Sequence, residues 1–233
     1  MYHLYAKLAG LCIKVEHKSL YIRKIFKPYM CQEQDAVFTV SATDEEIQAE
    51  IKNSGVMVED YCEAMCVYRA IAEKLPLYNR FVFHGVAIEY NNNAIVFTAK
   101  SGTGKTTHMN LWLGNLGDKV TIINGDKPII KVEDDITVYG TPYAGKEGLQ
   151  TNTSATLKKL CLLKRGKENK IYKVDAGDSL TFLMSQIYMP VNPEAMLKTL
   201  DLLDAFISKA KLYVLECDIS KEAFETSFAA LSE

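Results

Sequence analysis

Ten consecutive residues, Thr98-Ala99-Lys100-Ser101-Gly102-Thr103-Gly104-Lys105-Thr106-Thr107, bring together the groups that grip a polyphosphate. Small residues let the backbone curl so that successive N–H groups point at phosphate oxygens, with a helix dipole behind them. Lys105 has the reach for β- and γ-phosphates, and the Thr106 hydroxyl can ligate Mg²⁺. Ser101, Gly102, Thr103, Gly104, Lys105, Thr106 and Thr107 are therefore the candidate contacts for a nucleoside triphosphate. The pattern G-x-x-x-x-G-K-[ST] has Ala99 where its first glycine belongs. Glycine there serves backbone geometry, so alanine costs little where φ stays negative.

Phosphoryl transfer also needs a carboxylate to hold the metal or take the acceptor's proton. Asp126 closes Asn124-Gly125-Asp126, directly after the apolar run Val120-Thr121-Ile122-Ile123. In a parallel sheet such a strand end opens onto the ligand crevice. His84, read as mid-strand within Phe81–Tyr90, is either a satisfied core histidine or a group that orients Asp126. A second glycine-rich loop, Gly140-Thr141-Pro142-Tyr143-Ala144-Gly145-Lys146-Glu147-Gly148, carries Lys146, which can neutralise a transferring phosphoryl group. Glu133-Asp134-Asp135 reads as a solvated hairpin tip.

The elements that must position these groups are legible from pattern. Ala94-Ile95-Val96-Phe97 is the short, apolar, β-branched run of a buried parallel strand, and His108–Leu113 has helical spacing. Asn91-Asn92-Asn93 suits a tight turn between Phe81–Tyr90 and Ala94–Thr98. Upstream, strands are expected over Tyr2–Ala9, Leu11–Val15 and Ala36–Val40, with a short helix over Tyr21–Phe26. Thr43-Asp44-Glu45-Glu46 is a capping box that starts a helix to about Lys52. The next helix runs over about Asp60–Lys74, facing Ala64, Met65, Tyr68, Ile71, Ala72 and Leu75 inward. Further strands are expected at Pro128–Val132, Ile136–Tyr139, Lys159–Leu163, Lys170–Val174 and Leu212–Glu216. Helices follow from Asp175 to about Tyr188, from Pro193 to Ser208, and after Ser220. The class is α/β, and the 233 residues are expected to form one unit, β-rich over about 1–56 with a P-loop core over about 57–233.

Hydrophobic content of 48% and charged content of 24% are those of an ordinary globular chain. A net charge of -2 gives no electrostatic ground for a nucleic acid or anionic membrane partner. The basic spots Lys158-Lys159 and Lys164-Arg165-Gly166-Lys167 read as solvated edges. No apolar run has the length of a membrane span, and Met1-Tyr2-His3-Leu4-Tyr5 lacks signal-peptide character, so the expected location is cytoplasmic. Cys62 and Cys66 are spaced to share a helix face but lack two further ligands nearby, so the six cysteines read as free thiols.

The order His84-Gly85-Val86, a strand pair, Ser101–Thr107 and an apolar strand ending in acid resembles the kinase domain of HPr kinase/phosphorylase. That family lies within the phosphoenolpyruvate carboxykinase-type P-loop superfamily, whose loop this one resembles. Gly140–Lys146 and the tail Leu215-Glu216-Cys217-Asp218 are similar to segments of small HPr-kinase-like proteins. The resemblance is strongest over His84–Lys127 and weakest before Lys74. It implies a phosphoenolpyruvate carboxykinase/HPr kinase-like P-loop core behind the β-rich start. It further implies a Mg²⁺-ATP-dependent kinase acting on a hydroxyl of a peptide, protein or small molecule. Asp126, His84 and Lys146 would be catalytic, with Thr106 and Asp126 placing the metal. Relatives carry two adjacent aspartates where this chain has Gly125 and Asp126. The chain also lacks their separate N-terminal domain, so HPr itself is not the expected acceptor. Relatives assemble into oligomers, and a homo-oligomer is an open expectation here. Two alternatives stand beside the kinase: an ATP-binding sensor without turnover, favoured by Gly125, and carboxykinase-like decarboxylation, which lacks an arginine set because Arg69, Arg80 and Arg165 are isolated in sequence.

Overall fold

The computed structural model describes residues 1–175 and 177–233, which form a mixed α/β arrangement with two sheets and seven α-helices among the described residues. The first hairpin pairs β1 (Tyr2–Leu8) with β2 (Leu11–His17). Period-2 alternation sends Leu4, Ala6 and Leu8, with Ile13 and Val15, to one buried face. After α1 (Leu20–Phe26), the short β3 (Met30–Cys31) and β4 (Phe38–Val40) complete a sheet of order β3-β1-β2-β4.

The capping box forms as read: Thr43 and Glu46 exchange both bonds at the start of α2 (Asp44–Ser54). α3 (Glu59–Lys74) then buries Ala64, Val67, Tyr68, Ile71 and Ala72 in the same core as β1, β2 and α1. The buried Glu63 carboxylate accepts from the backbone N–H groups of Lys18, at 2.7 Å, and Ser19, at 2.9 Å, which ties α3 to the entry of α1.

The second sheet has nine strands: β5 (Arg80–Val82), β6 (Val86–Tyr90), β7 (Asn93–Thr98), β8 (Val120–Asn124), β9 (Ile129–Val132), β10 (Ile136–Tyr139), β11 (Ser154–Arg165), β12 (Lys170–Val174) and β13 (Leu212–Cys217). Its order is β5-β9-β10-β11-β7-β6-β8, with β13 pairing the C-terminal half of β11 and β12 pairing β13. The β6–β7 turn places Asn91 and Asn92 at φ of 50° and 62°, as the asparagines suggested.

The sheet is mixed rather than parallel. β7 runs parallel to β11, but β6 lies between β7 and β8 and is antiparallel to both. β7 and β8 therefore still point the same way, and their C-terminal ends share one side of the sheet. Both faces are covered, which explains the unbroken apolar run in β7. Val96 and Ala94 face α6 (Pro193–Lys209), with Leu202, Leu203 and Phe206 opposite. Ile95 and Phe97 face α4 (Lys105–Leu116) and α7 (Lys221–Leu231), with Met109, Trp112 and Phe224 opposite.

Two expected elements change. The strand expected over Phe81–Tyr90 breaks at Phe83-His84-Gly85, and its halves join opposite ends of the sheet. A side chain on Gly85 would put its Cβ 3.0 Å from the Phe97 carbonyl oxygen, so glycine lets the chain cross there. The helix expected over 175–188 includes position 176, which lies outside the described residues. Beyond it, α5 covers only Leu180–Met184, because Ile187 leaves to bridge Phe83 and the Gln186 carbonyl accepts from His84 N–H at 2.7 Å.

The N-terminal sheet and the larger one meet through aromatic contacts. Tyr68 stacks edge-on against Tyr143 and Tyr188 at 5.0 and 6.1 Å. The buried Arg80 reaches back to donate to the Ala9 carbonyl at 2.7 Å.

Candidate functional site

The loop between β7 and α4 adopts the cradle that its residues suggested. Gly102 and Gly104 take φ of 75° and 124°, while Ala99 keeps an ordinary φ and is fully buried. Alanine is accommodated there because no left-handed turn falls on it. α4 starts at Lys105 with no side-chain cap and no acidic residue in its first turn. Its leading N–H groups and positive dipole end therefore stay free for an anion. Lys105 Nζ donates to the Ala99 carbonyl at 3.1 Å, folded over its own loop. Burial holds the Lys105 ammonium below the usual lysine range, with Asp126 partly opposing and Lys127 adding to the shift. Ser101 and Thr107 are exposed, while Thr103 and Thr106 are half-buried.

Arg165 is exposed at the end of β11, as the solvated-edge reading expected, and it also clamps this loop. Its Nη2 donates to the Gly102 carbonyl at 2.6 Å. Lys159, also read as solvated, is buried, donates to the Tyr213 hydroxyl at 3.2 Å and lies over that ring. Both side chains belong to β11, which pairs β7 over Thr156–Leu162 and so brings Arg165, three residues further on, to the loop that follows β7.

Asp126 lies just past the end of β8, held by an Asn124 turn. The fully buried Asn124 Oδ1 accepts from the N–H groups of Asp126 at 2.9 Å and Lys127 at 2.6 Å. Its Nδ2 donates to the Thr141 carbonyl at 3.1 Å and hydroxyl at 3.0 Å. The Thr141 hydroxyl in turn donates to the Lys127 carbonyl at 2.8 Å. This Asn-based turn fixes where Asp126 and Lys127 leave the chain.

The Asp126 carboxylate is one-fifth exposed and faces three cationic or titratable groups. Lys127 Nζ binds Oδ2 and lies over the Tyr68 ring at 5.7 Å. His84 Nε2 stands 3.5 Å from Oδ1. Lys105 is near enough for each to shift the other's neighbours: Asp126 raises both Lys105 and His84. His84 itself sits at the strand break, not mid-strand, and this is what turns its ring toward Asp126. Its Nδ1 meets Gln186 Oε1 at 3.1 Å, so Nδ1 carries the proton and Nε2 keeps a free lone pair in the neutral ring. Burial and Lys105 lower its pKa below the usual 6.5, with Asp126 opposing. The ring is neutral at physiological pH.

Lys146 is exposed, and the structure brings it to the wall of a cavity that Asp126 and Lys127 also line. The lysine in direct contact with Asp126 is Lys127, which the sequence reading passed over. Its adjacency to Asp126 was the available signal. Gln186, Asn124 and Thr141 were also missed; of these only Asn124, opening an Asn-Gly turn, had a local signature.

Gly125, the residue before Asp126, is crowded by backbone. A Cβ there would lie 3.1 Å from the Leu149 carbonyl oxygen and 3.3 Å from that of Ala144. Gly125 N–H also donates to the Leu149 carbonyl at 2.9 Å. A side chain at 125 would therefore press on the backbone of the 144–149 loop.

Two cavities open on this centre. One of about 350 Å³ lies beside the phosphate loop, lined by Gly102, Thr103, Gly104 and Thr107 with Leu111, Leu163, Arg165 and Ile219. The other, of about 690 Å³, is lined by Asp126, Lys127 and residues 142–146 together with α1 and α3. Among the described residues no cluster of three or more His, Cys, Asp or Glu side chains could hold a metal ion unaided. The donors available to Mg²⁺ are the hard oxygens of Thr106 and Asp126. That set fits a cation that takes most of its shell from phosphate and water. The cysteines are free thiols. No described helix is long and apolar enough to cross a membrane.

No family model matches the chain, and no curated protein matches it. Among solved structures, the Hpr(Ser) kinase/phosphatase from Coxiella burnetii is similar at 10% identity and a TM-score of 0.31, over 52% of this chain and 86% of that one. A likeness at that level transfers neither a site nor an activity.

Proposed function

We propose that the protein is an ATP-dependent phosphotransferase that moves the γ-phosphoryl of Mg²⁺-ATP to a hydroxyl acceptor, with a cytoplasmic location. The observation that carries this reading is the convergence of an uncapped, glycine-bent helix start, its lysine, and one held carboxylate backed by a neutral imidazole. The loop Ser101–Thr107 grips the phosphates through its N–H groups, and Lys105 leaves the Ala99 carbonyl to reach them. Thr106 and Asp126 would hold Mg²⁺, which would supply neutralisation of the charge on the transferring group. The leucine-lined cavity beside the loop takes the nucleoside end.

Asp126 accepts the acceptor's proton as the new O–P bond forms and the bond to the ADP oxygen breaks. The free Nε2 of His84 can receive that proton from Asp126, its Nδ1–H already held by Gln186. Lys127 and Lys146 supply positive charge on the acceptor side. General-base assistance of this type contributes roughly 10²–10⁴-fold in rate.

Purified protein is incubated with Mg²⁺-ATP and hydroxyl acceptors while ADP release and acceptor phosphorylation are followed. Lys105→Ala abolishes nucleotide binding, and Asp126→Asn leaves binding intact while removing transfer. Transfer by both variants at the wild-type rate refutes the assignment.

A second reading, an ATP sensor without turnover, is favoured by the Lys127–Asp126 contact, which occupies one carboxylate oxygen. Tight calorimetric ATP binding with neither hydrolysis nor transfer selects it.

A further inference from the structure

We infer that the 690 Å³ cavity is the acceptor pocket, and that it takes a neutral hydroxyl carried on an apolar or aromatic body. This rests on the phosphotransfer reading of Asp126. The body is either a free alcohol or a serine or threonine flanked by apolar residues in a peptide, which present the same chemistry.

The cavity lies within the roughly 300–1,000 Å³ of small-molecule sites. Its walls are mainly apolar, built from Ile25 of α1, Val56 and Val58 before α3, Met65 of α3, and Pro142 of the second glycine-rich loop. Half of the pocket thus comes from the N-terminal part of the chain. A polyol would leave unpaired those hydroxyls that face Ile25, Val56, Val58, Met65 and Pro142, a desolvation cost without return.

Charge gives the same answer. The ionised groups lining the cavity are Asp60 and Asp126 against Lys127 and Lys146, two of each sign. No surplus charge selects an anionic or cationic acceptor. Asp126 and Lys127 mark where the reacting hydroxyl sits.

Saturation-transfer NMR on the nucleotide-free protein reads occupancy directly. N-acetyl-Phe-Ser-Phe-amide or 3-phenylpropanol receives saturation, and glycerol and N-acetyl-Gly-Ser-Gly-amide do not. The peptide and the free alcohol, compared with each other, identify the source of the hydroxyl. Val58→Asp weakens this binding about tenfold, which matches loss of part of an apolar side-chain contact. Val58 is 60% exposed and stands at the uncapped N-cap of α3, where aspartate is a favoured residue, so this variant folds. Met65→Glu tests the deeper wall.

With Mg²⁺-ATP present, phosphoryl transfer follows the same acceptor ranking. Equal binding of the apolar and polar probes, or unchanged binding in Val58→Asp, overturns the pocket assignment. Nucleotide titration separates the two failures. ATP binding and transfer with no apolar preference refutes the pocket alone. Apolar ranking without ATP binding refutes the phosphotransfer reading, and with it the role of the pocket as an acceptor site.

Discussion

Replacing Asn124 by alanine tests whether the candidate centre is held by its turn rather than by its own side chains. The substitution removes two bonds accepted from the Asp126 and Lys127 N–H groups and two donated to Thr141. The Thr141 hydroxyl keeps a partner in the Lys127 carbonyl. The Thr141 carbonyl, on a residue only 2% exposed, loses its Asn124 donor. An unsatisfied buried group of that kind costs about 1–3 kcal/mol, and the two half-buried N–H groups cost less because water can reach them. The sum is about 3 kcal/mol, which lowers Tm by about 6–12 °C in a chain of this size. The freed turn also lets Asp126 swing from its position beside His84. Misplacement of a reacting group by about 1 Å costs about 10²-fold in kcat. The phosphate loop is untouched, so ATP affinity stays within a factor of two or so, a change of less than about 0.5 kcal/mol. Thermal melts, nucleotide titration and acceptor phosphorylation are read on the same preparation. A Tm within 2 °C or so of wild type would falsify the stability argument, given that each kcal/mol shifts Tm by about 2–4 °C. Lost stability with unchanged kcat would show that Asp126 does not depend on this turn.

Three further outcomes follow from the same geometry. His108 is buried with its pKa lowered to about 4 from the ordinary 6.5, so its contribution is complete above pH 6.5 and is lost as pH falls toward 4, by roughly 3 kcal/mol; urea unfolding at pH 7.5 and 4.5 shows this slope, and His108→Gln, which keeps a donor for Ser227, flattens it. Gly125→Asp does not restore a second carboxylate; it forces its Cβ against the Leu149 and Ala144 carbonyls, lowers stability by about 1–3 kcal/mol and leaves transfer no faster, as melts and ADP release together show. Arg165→Ala releases the Gly102 carbonyl and weakens ATP binding severalfold while the melt is nearly unchanged, and equal affinity in calorimetry counts against the clamp.

The strand–loop–helix over 98–107 was legible because its requirements are local. Glycine where φ is positive, lysine where reach is needed, and an apolar strand before it all lie within a dozen residues. Asp126 was legible for the same reason, as the acid after an apolar strand. His84 was harder. Phe81–Tyr90 is apolar nearly throughout, and nothing in its pattern announces a break between Val82 and Val86. The break is a tertiary event, decided by Gly85 against the Phe97 carbonyl and by Gln186 receiving the His84 N–H. Lys159 was misread, and the Arg165 contact missed, for a related reason. A basic run gives charge but not direction, and the direction comes from β11 lying between β7 and β13. The helix that stops at Met184 has good helical composition beyond that point. Ile187 and Gln186 are drawn off it by strand contacts worth more than another turn of helix.

The same reasoning explains why glycine precedes Asp126. At Gly140 a Cβ would fall 1.9 Å from the Thr151 carbonyl oxygen and 2.8 Å from that of Ile123, so only glycine passes there. That crossing brings Thr141 to Asn124 and carries the following 142–149 segment over Asp126. The segment then bonds back through the Leu149 carbonyl to Gly125 N–H, and fills the space a side chain at 125 would take. Gly125 is therefore a consequence of closing this loop over the centre, and the closed loop supplies Pro142, Tyr143 and Lys146 to the larger cavity. The loop closed in this way forms one wall of the larger cavity. In the proposed mechanism the base is Asp126 and the proton store is the free Nε2 of His84, whose pKa is lowered by burial and by Lys105. His84→Phe keeps the ring volume and removes the proton store. It lowers kcat without changing ATP affinity, and it removes the acid limb of the pH–rate profile that protonation of His84 otherwise imposes below its depressed pKa. Persistence of that limb in the variant assigns it to another group and leaves Asp126 without its partner.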